Sequence, residues 1–254
     1  MFIDTHTHFY DEWLLPDAEA AIQRALDAGV GKMIQADIDS HERPDMWAVG
    51  RKHPGVLYQM LGLYPGSVKA DWKEEMDQVY RLAAGDFVAI GEIGLDYHEG
   101  KEFAKEQKEA LRLQFELAAK LNLPVNIHLR DAWEDFFAVL EDCRHLHLKG
   151  NLHCFSGSYE VYERANRSGD FAVGIGGVLT FKNSGLPAVV ARIPMEHILL
   201  ETDAPYLAPT PYRGKRNESA YLPLIAARLA EVKDLSLNDI ETITTDNAIR
   251  LFAL

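Results

Sequence analysis

Six residues whose side chains can ligate a divalent metal each stand where an apolar stretch of this sequence gives way to a loop. They are His6 and His8 in DTHTH (4–8), Glu92 in GEIGLDY (91–97), His128 in PVNIHL (124–129), His153 in KGNLHC (149–154), and Asp203 after HILLET (197–202). Alternate residues of a strand point to one side, so His6 and His8 can aim two imidazoles at one point. Imidazole nitrogens are common ligands for first-row divalent ions. Each residue alone has a plainer reading: HxH as a surface or core pair, Glu92 as half of a salt bridge, His128 and His153 as satisfied core histidines, Asp203 as a cap. Jointly, their placement at the same end of different strands argues for one site. Four histidines and two carboxylates exceed the usual ligand set of one tetrahedral ion, which suggests two metals with a bridging carboxylate.

The elements that must position these residues are eight short apolar stretches, rich in β-branched residues: 2–4, 32–36, 56–62, 87–94, 124–129, 149–154, 171–177 and 197–202. Helix candidates stand between them. In DAEAAIQRALDAG, Asp17 can cap and Gly29 can stop a helix, and 102–121 repeats apolar residues at three- and four-residue spacing. Alternation of strand and helix implies parallel strands with crossover helices, and eight such units predict an α/β fold of the (β/α)8 TIM-type barrel kind. In such barrels the strands' C-terminal ends carry the active site. No Pro/Gly/Ser-rich linker or repeat divides the chain, so residues 1–254 are expected to form a single domain. The segment 203–217 is a long loop, a length often tied to function.

With 47% hydrophobic and 26% charged residues the composition is that of a folded globular protein. No run crosses a bilayer and the start lacks a leader pattern, so the expected location is cytoplasmic, with no membrane and no obligate protein partner. Cys143 and Cys154 are expected to be reduced. A net charge of −13 argues against nonspecific attraction to nucleic acid, though not against a polyanion held by metals and a few local cations.

DTHTH (4–8), GEIGLDY (91–97), the stretch ending LPVNIHLR (107–130), HCFSG (153–157) and ETDAPYLAP…RGKRNE (201–218) run in order over nearly the whole chain. Through these blocks the sequence resembles the TatD-type metal-dependent deoxyribonucleases of the amidohydrolase-like barrel superfamily. The resemblance implies a distorted barrel with two divalent ions, Mg, Mn or Zn. It implies that His6, His8, Glu92 and Asp203 surround one ion, and that Glu92, His128 and His153 surround the other, with Glu92 bridging. The expected activity is hydrolysis of phosphodiester bonds at DNA ends, those of single strands, with Asp203 as proton acceptor. The alternative is a metal-dependent hydrolase of a small amide, ester or lactone, since the same chemistry serves a carbonyl carbon.

Arg130, two residues after His128, is a candidate for a phosphate oxygen, and Arg213 on the long loop is a second; for either, a surface salt bridge is the alternative. Asp96 and Ser156 are candidates for orienting the ligands. Tyr97, Phe155, Tyr206 and Tyr212 are candidates for base stacking, with packing as the alternative. GIGG (174–177) is read as close backbone packing, not as a phosphate cradle. The chain departs from the family pattern after the third strand, where Gly-x-His-Pro-His is replaced by Gly62, Leu63, Tyr64, Pro65 and Gly66. Tyr64 is expected to face substrate and leave the metals intact, with a weaker hold on phosphate because a phenol cannot become a cation.

Overall fold

The computed structural model describes residues 1–98 and 100–254. Eight strands pair in parallel in sequence order: β1 Phe2–Thr7, β2 Val30–Gln35, β3 Leu57–Leu61, β4 Ala89–Asp96, β5 Val125–Arg130, β6 Lys149–Leu152, β7 Asp170–Ile175 and β8 Ile198–Leu200. Between them lie α1 Ala18–Asp27, α2 Arg43–Gly50, α3 Trp72–Leu82, α4 Ala104–Leu121, α5 Trp133–Asp142, α6 Tyr159–Asn166 and α7 Leu186–Val190; α8 Leu222–Lys233 and α9 Leu237–Phe252 follow β8. This is the TIM-type barrel that the alternation predicts, with its last strand reduced to three residues. Among the described residues no helix is long and apolar enough to cross a membrane.

The ring closes between β8 and β1 by a parallel bridge of Thr7 to Ala204, with His8 N donating to Ala204 O at 2.8 Å and Asp203 N to His6 O at 2.9 Å. Asp4 reinforces the seam: its buried carboxylate accepts from Thr202 N at 2.9 Å and from Thr202 Oγ1 at 2.5 Å. Ile3, Ile34, Met60, Ala89 and Leu199 gather into one apolar cluster with Ala248 and Phe252 of α9. A larger cluster, including Phe115, Phe136 and Phe171, packs helices against strands.

Two local expectations change. Asp17 stands at the N-terminus of α1 but makes no capping bond; its carboxylate goes to Arg216 and Arg24 instead, where two guanidiniums outcompete one backbone N–H. Helix α4 starts at Ala104, two residues later than the periodicity predicts, and ends on Asn122 in the left-handed conformation. Gly29, with φ at +86°, does stop α1.

Candidate metal centre

All six predicted residues converge at the C-terminal ends of the strands. His6 and His8 come from β1 and its end, Glu92 from β4, His128 from β5, His153 from the end of β6, and Asp203 from the residues after β8. The β4–β5 register slips between Ile90 and Ile93, the kind of irregularity that re-aims a side chain, and Glu92 lies within the slip. Its two carboxylate oxygens divide the cluster. Oε2 lies 3.3 Å from His6 Nε2 and 3.8 Å from His8 Nε2; Oε1 lies 2.9 Å from His128 Nδ1 and 3.2 Å from His153 Nε2. Asp203 Oδ1 completes the first group, 3.6 Å and 3.5 Å from the Nε2 atoms of His6 and His8.

Hydrogen bonds to the far side of each ring decide which nitrogen is free. Asn126 uses its amide N–H on Asn151, leaving its oxygen to accept from His6 Nδ1 at 2.9 Å. Tyr10 donates its hydroxyl proton to Ala36 O, so its oxygen accepts from His8 Nδ1 at 2.9 Å. Both rings therefore turn an unprotonated Nε2 inward, and these two lone pairs stand only 3.0 Å apart. Two facing acceptors repel unless a cation lies against them, so the donor set fits a metal ion. His6, His8 and Asp203 offer atoms within 4.8 Å of one another, as do His6, Glu92 and His153.

The same logic extends to the other rings. Glu201, wholly buried, faces His153 Nδ1 at an ion-pair distance of 3.2 Å, while that ring's Nε2 faces Glu92. Gly174 makes room for it, since a Cβ there would meet Glu201 Oε2 at 1.9 Å; at Gly177 a Cβ would meet Leu207 O at 2.0 Å, the close backbone packing read from GIGG. Asp96 Oδ2 accepts from His128 Nε2 at 2.9 Å and leaves Nδ1 to face Glu92. Burial works to raise the Glu92 pKa, but the imidazoles of His153 and His6 outweigh it and hold the carboxyl well below the usual range. Burial also opposes ionisation of Asp203, yet the imidazoles of His8, His153 and His6 around it hold its carboxyl below the ordinary value.

The pocket over this cluster has a volume of about 920 Å³. Arg130 is on its wall and, among the described residues, has no salt-bridge partner. Tyr64 also lines it, donating to Asp96 Oδ2 at 3.3 Å with its ring edge-on to His128. Burial, with Glu92 and Asp96 nearby, pushes the phenol pKa up, so it stays a donor. Arg213 is not brought to the pocket wall; its guanidinium lies over the Phe181 ring at 4.4 Å. Ser156 reaches the wall but, among the described residues, makes no hydrogen bond to the ligating histidines. Of the four stacking candidates only Tyr206 reaches the pocket: Tyr97 bonds Asp135, Phe155 is buried, and Tyr212 stacks on Tyr221. Cys154 lines the pocket with its thiol pKa pushed well up by burial.

Sequence reasoning missed Asn126, Tyr10 and the role of Glu201, which orient the rings. The signal for Asn126 and Glu201 was present, since polar residues inside otherwise apolar strand segments need a partner.

Residues 3–253 match the family of TatD related DNases. An uncharacterized metal-dependent hydrolase, YabD of Bacillus subtilis, is 38% identical over 258 residues covering all of both chains. A 3′-5′ ssDNA/RNA exonuclease TatD of Pantoea vagans is 33% identical over 94% of each. The crystal structure of YJJV, a TatD homolog from Escherichia coli, superposes with a TM-score of 0.90 at 32% identity, covering 100% of this chain and 98% of that one. With the family matched from the first strand to the last helix, and a buried nest of imidazoles and carboxylates where its chemistry belongs, the chain is a metal-dependent hydrolase belonging to the TatD related DNase family.

Proposed function

We propose that this hydrolase cleaves phosphodiester bonds at the ends of single-stranded DNA with two divalent ions held side by side. The observation that carries this reading is the division of Glu92, one oxygen toward His6 and His8 and the other toward His128 and His153. His6, His8, Asp203 and Glu92 would hold one ion, and Glu92, His128 and His153 the other. Divalent ions bound there supply Lewis acidity, which neutralises charge on a phosphoryl oxygen and makes water acidic near neutral pH.

The remaining work falls to the chain. Asp203 is placed to take the proton of the attacking water, because its side chain is 15% exposed while Glu92 is sealed in at 4%. Arg130, free of an ion-pair partner among the described residues, can donate two parallel N–H groups to nonbridging oxygens. Asp96 and Glu201 hold the His128 and His153 rings in register. The name of the Pantoea vagans relative, a 3′-5′ ssDNA/RNA exonuclease, supports the substrate class.

A second reading, hydrolysis of a small amide, ester or lactone, is favoured by one observation. The pocket wall carries Asp11, Asp39, Glu42 and Glu102 against Lys69 and Arg130, an acidic balance for a polyanion's site. End-labelled single-stranded oligonucleotides and a panel of lactones, esters and amides, each with Mg, Mn or Zn, decide between them. Stepwise shortening of the oligonucleotide is expected. Turnover of a panel compound with intact oligonucleotides under all three metals would overturn the nuclease reading.

A further inference from the structure

At the rim of the pocket stands an aromatic pair that no step above uses, Tyr206 on the wall and Trp13 beyond it. Trp13 is 56% exposed and Tyr206 44%, and their ring centroids lie 6.1 Å apart with planes tilted by 51°. Tyr206 lies between Trp13 and the metal centre, with its ring 6.2 Å from that of His8. Asp11 fixes both: Oδ1 accepts from Trp13 N at 2.8 Å, and Oδ2 accepts from the Tyr206 hydroxyl at 2.6 Å. The Trp13 carbonyl is held in turn by Arg216 Nη1 at 2.8 Å, and that guanidinium is pinned by Asp17 and Glu218. Leu14, beside Trp13, is fully buried and anchors the segment.

Resting on the nuclease reading, we propose that Trp13 and Tyr206 form a platform on which a base of the single-stranded substrate stacks while the adjoining phosphodiester lies over Glu92 and Asp203. Every base has a π-face, so aromatic platforms beside a backbone-binding site hold single strands with little sequence preference. Hydrogen bonds on both sides of Trp13 fix the backbone that carries the indole, so the segment need not be ordered when a base lands on the ring. A second protein chain is the poorer occupant. Two aromatic rings bury about 150–250 Å² each, well short of the roughly 800 Å² per partner of a stable interface.

The test crosses Trp13→Ala with substrates whose two terminal nucleotides at each end either carry bases or are abasic. With the base-bearing oligonucleotide, Trp13→Ala is expected to raise KM about tenfold, which is about 1.4 kcal/mol, and to leave kcat within twofold, because stacking is made before and during the reaction alike. With the abasic oligonucleotide, wild type and Trp13→Ala should have the same KM. Trp13→Phe should recover most of the loss. An equal KM for both proteins on the base-bearing strand, or an equal loss on both strands, overturns the platform. If the wild type cleaves no oligonucleotide under any metal, the nuclease reading fails. The platform is then judged by anisotropy of labelled oligonucleotides: base-dependent binding that Trp13→Ala removes upholds it, and binding indifferent to bases or to Trp13 overturns it.

Discussion

Replacing Gly66 by Ala should act on the pocket through Tyr64. The Gly66 backbone lies outside the left-handed region, so an L side chain is compatible with its conformation. Its space is not free. A Cβ at 66 would meet Tyr64 Cε1 at 2.3 Å, Cδ1 at 3.0 Å and Cζ at 3.2 Å, where ordinary contact begins at 3.4 Å. The phenol ring must therefore shift by about an ångström, and it has little room, because its edge meets the His128 ring at 5.0 Å and its hydroxyl reaches Asp96 at 3.3 Å. Overpacking of this kind costs about 1–3 kcal/mol. A side chain at 66 and the ring of Tyr64 thus compete for one space, which couples the two positions. The assay is a double-mutant cycle of urea unfolding in chelator, so that metal binding does not enter. Gly66→Ala should destabilise by about 1–3 kcal/mol in the wild-type background, and by less than about 0.5 kcal/mol in the Tyr64→Ala background, where the blocking ring is gone. Equal losses in both backgrounds would refute the steric argument.

Three further expectations concern the site and its support. Asp203→Asn keeps the shape of the side chain but removes the proton acceptor, so kcat at saturating metal should fall about a hundredfold or more; a variant within fivefold of wild type would remove Asp203 from that role. Calorimetric titration of chelator-stripped protein should give two equivalents of divalent ion and Glu92→Ala fewer, with hydrolysis absent until metal is returned; one equivalent in the wild type would defeat the paired-ion reading. Glu218 is the third case. Burial raises its pKa, but hydrogen bonds from Arg24 and Arg216 outweigh that and lower it below the ordinary 4.5. A carboxyl whose folded pKa is depressed stabilises above its unfolded value and loses that contribution as pH falls through the folded value. Glu218→Gln should therefore cost about 2 kcal/mol at pH 7, with wild type and variant converging below pH 4.5; a gap unchanged down to pH 3 would falsify the ion-pair account.

Much of the framework was legible because apolar periodicity and strand-end polarity are local signals. All eight strands were found in order, and all six ligand candidates meet. The strand limits drifted where polar residues face inward. β1 extends through Thr5, His6 and Thr7, which no apolar pattern marks, while β8 stops before Glu201 and Thr202, whose side chains turn to His153 and Asp4. Tautomers were not legible at all. Whether His6 offers Nε2 depends on Asn126, 120 residues away, and nothing in DTHTH encodes it. Arg213 was a second candidate beside Arg130, and it lies elsewhere because a loop's path is set by contacts such as Phe181, which periodicity does not reveal.

The seam between β8 and β1 joins the earliest and latest strands of the chain, and it gives the molecule an order of failure. His6, His8 and Asp203 become neighbours only when the segment after β8 docks beside β1, closing a loop of nearly two hundred residues through a single strand bridge, a few hydrogen bonds and the packing of α9 against both strands. The pairings from β1 through β7 do not depend on that closure. A chain with this seam sprung keeps most of its sheet and loses its chemistry, so under gentle heat or mild denaturant the enzyme should fall silent while its circular dichroism still reads as folded.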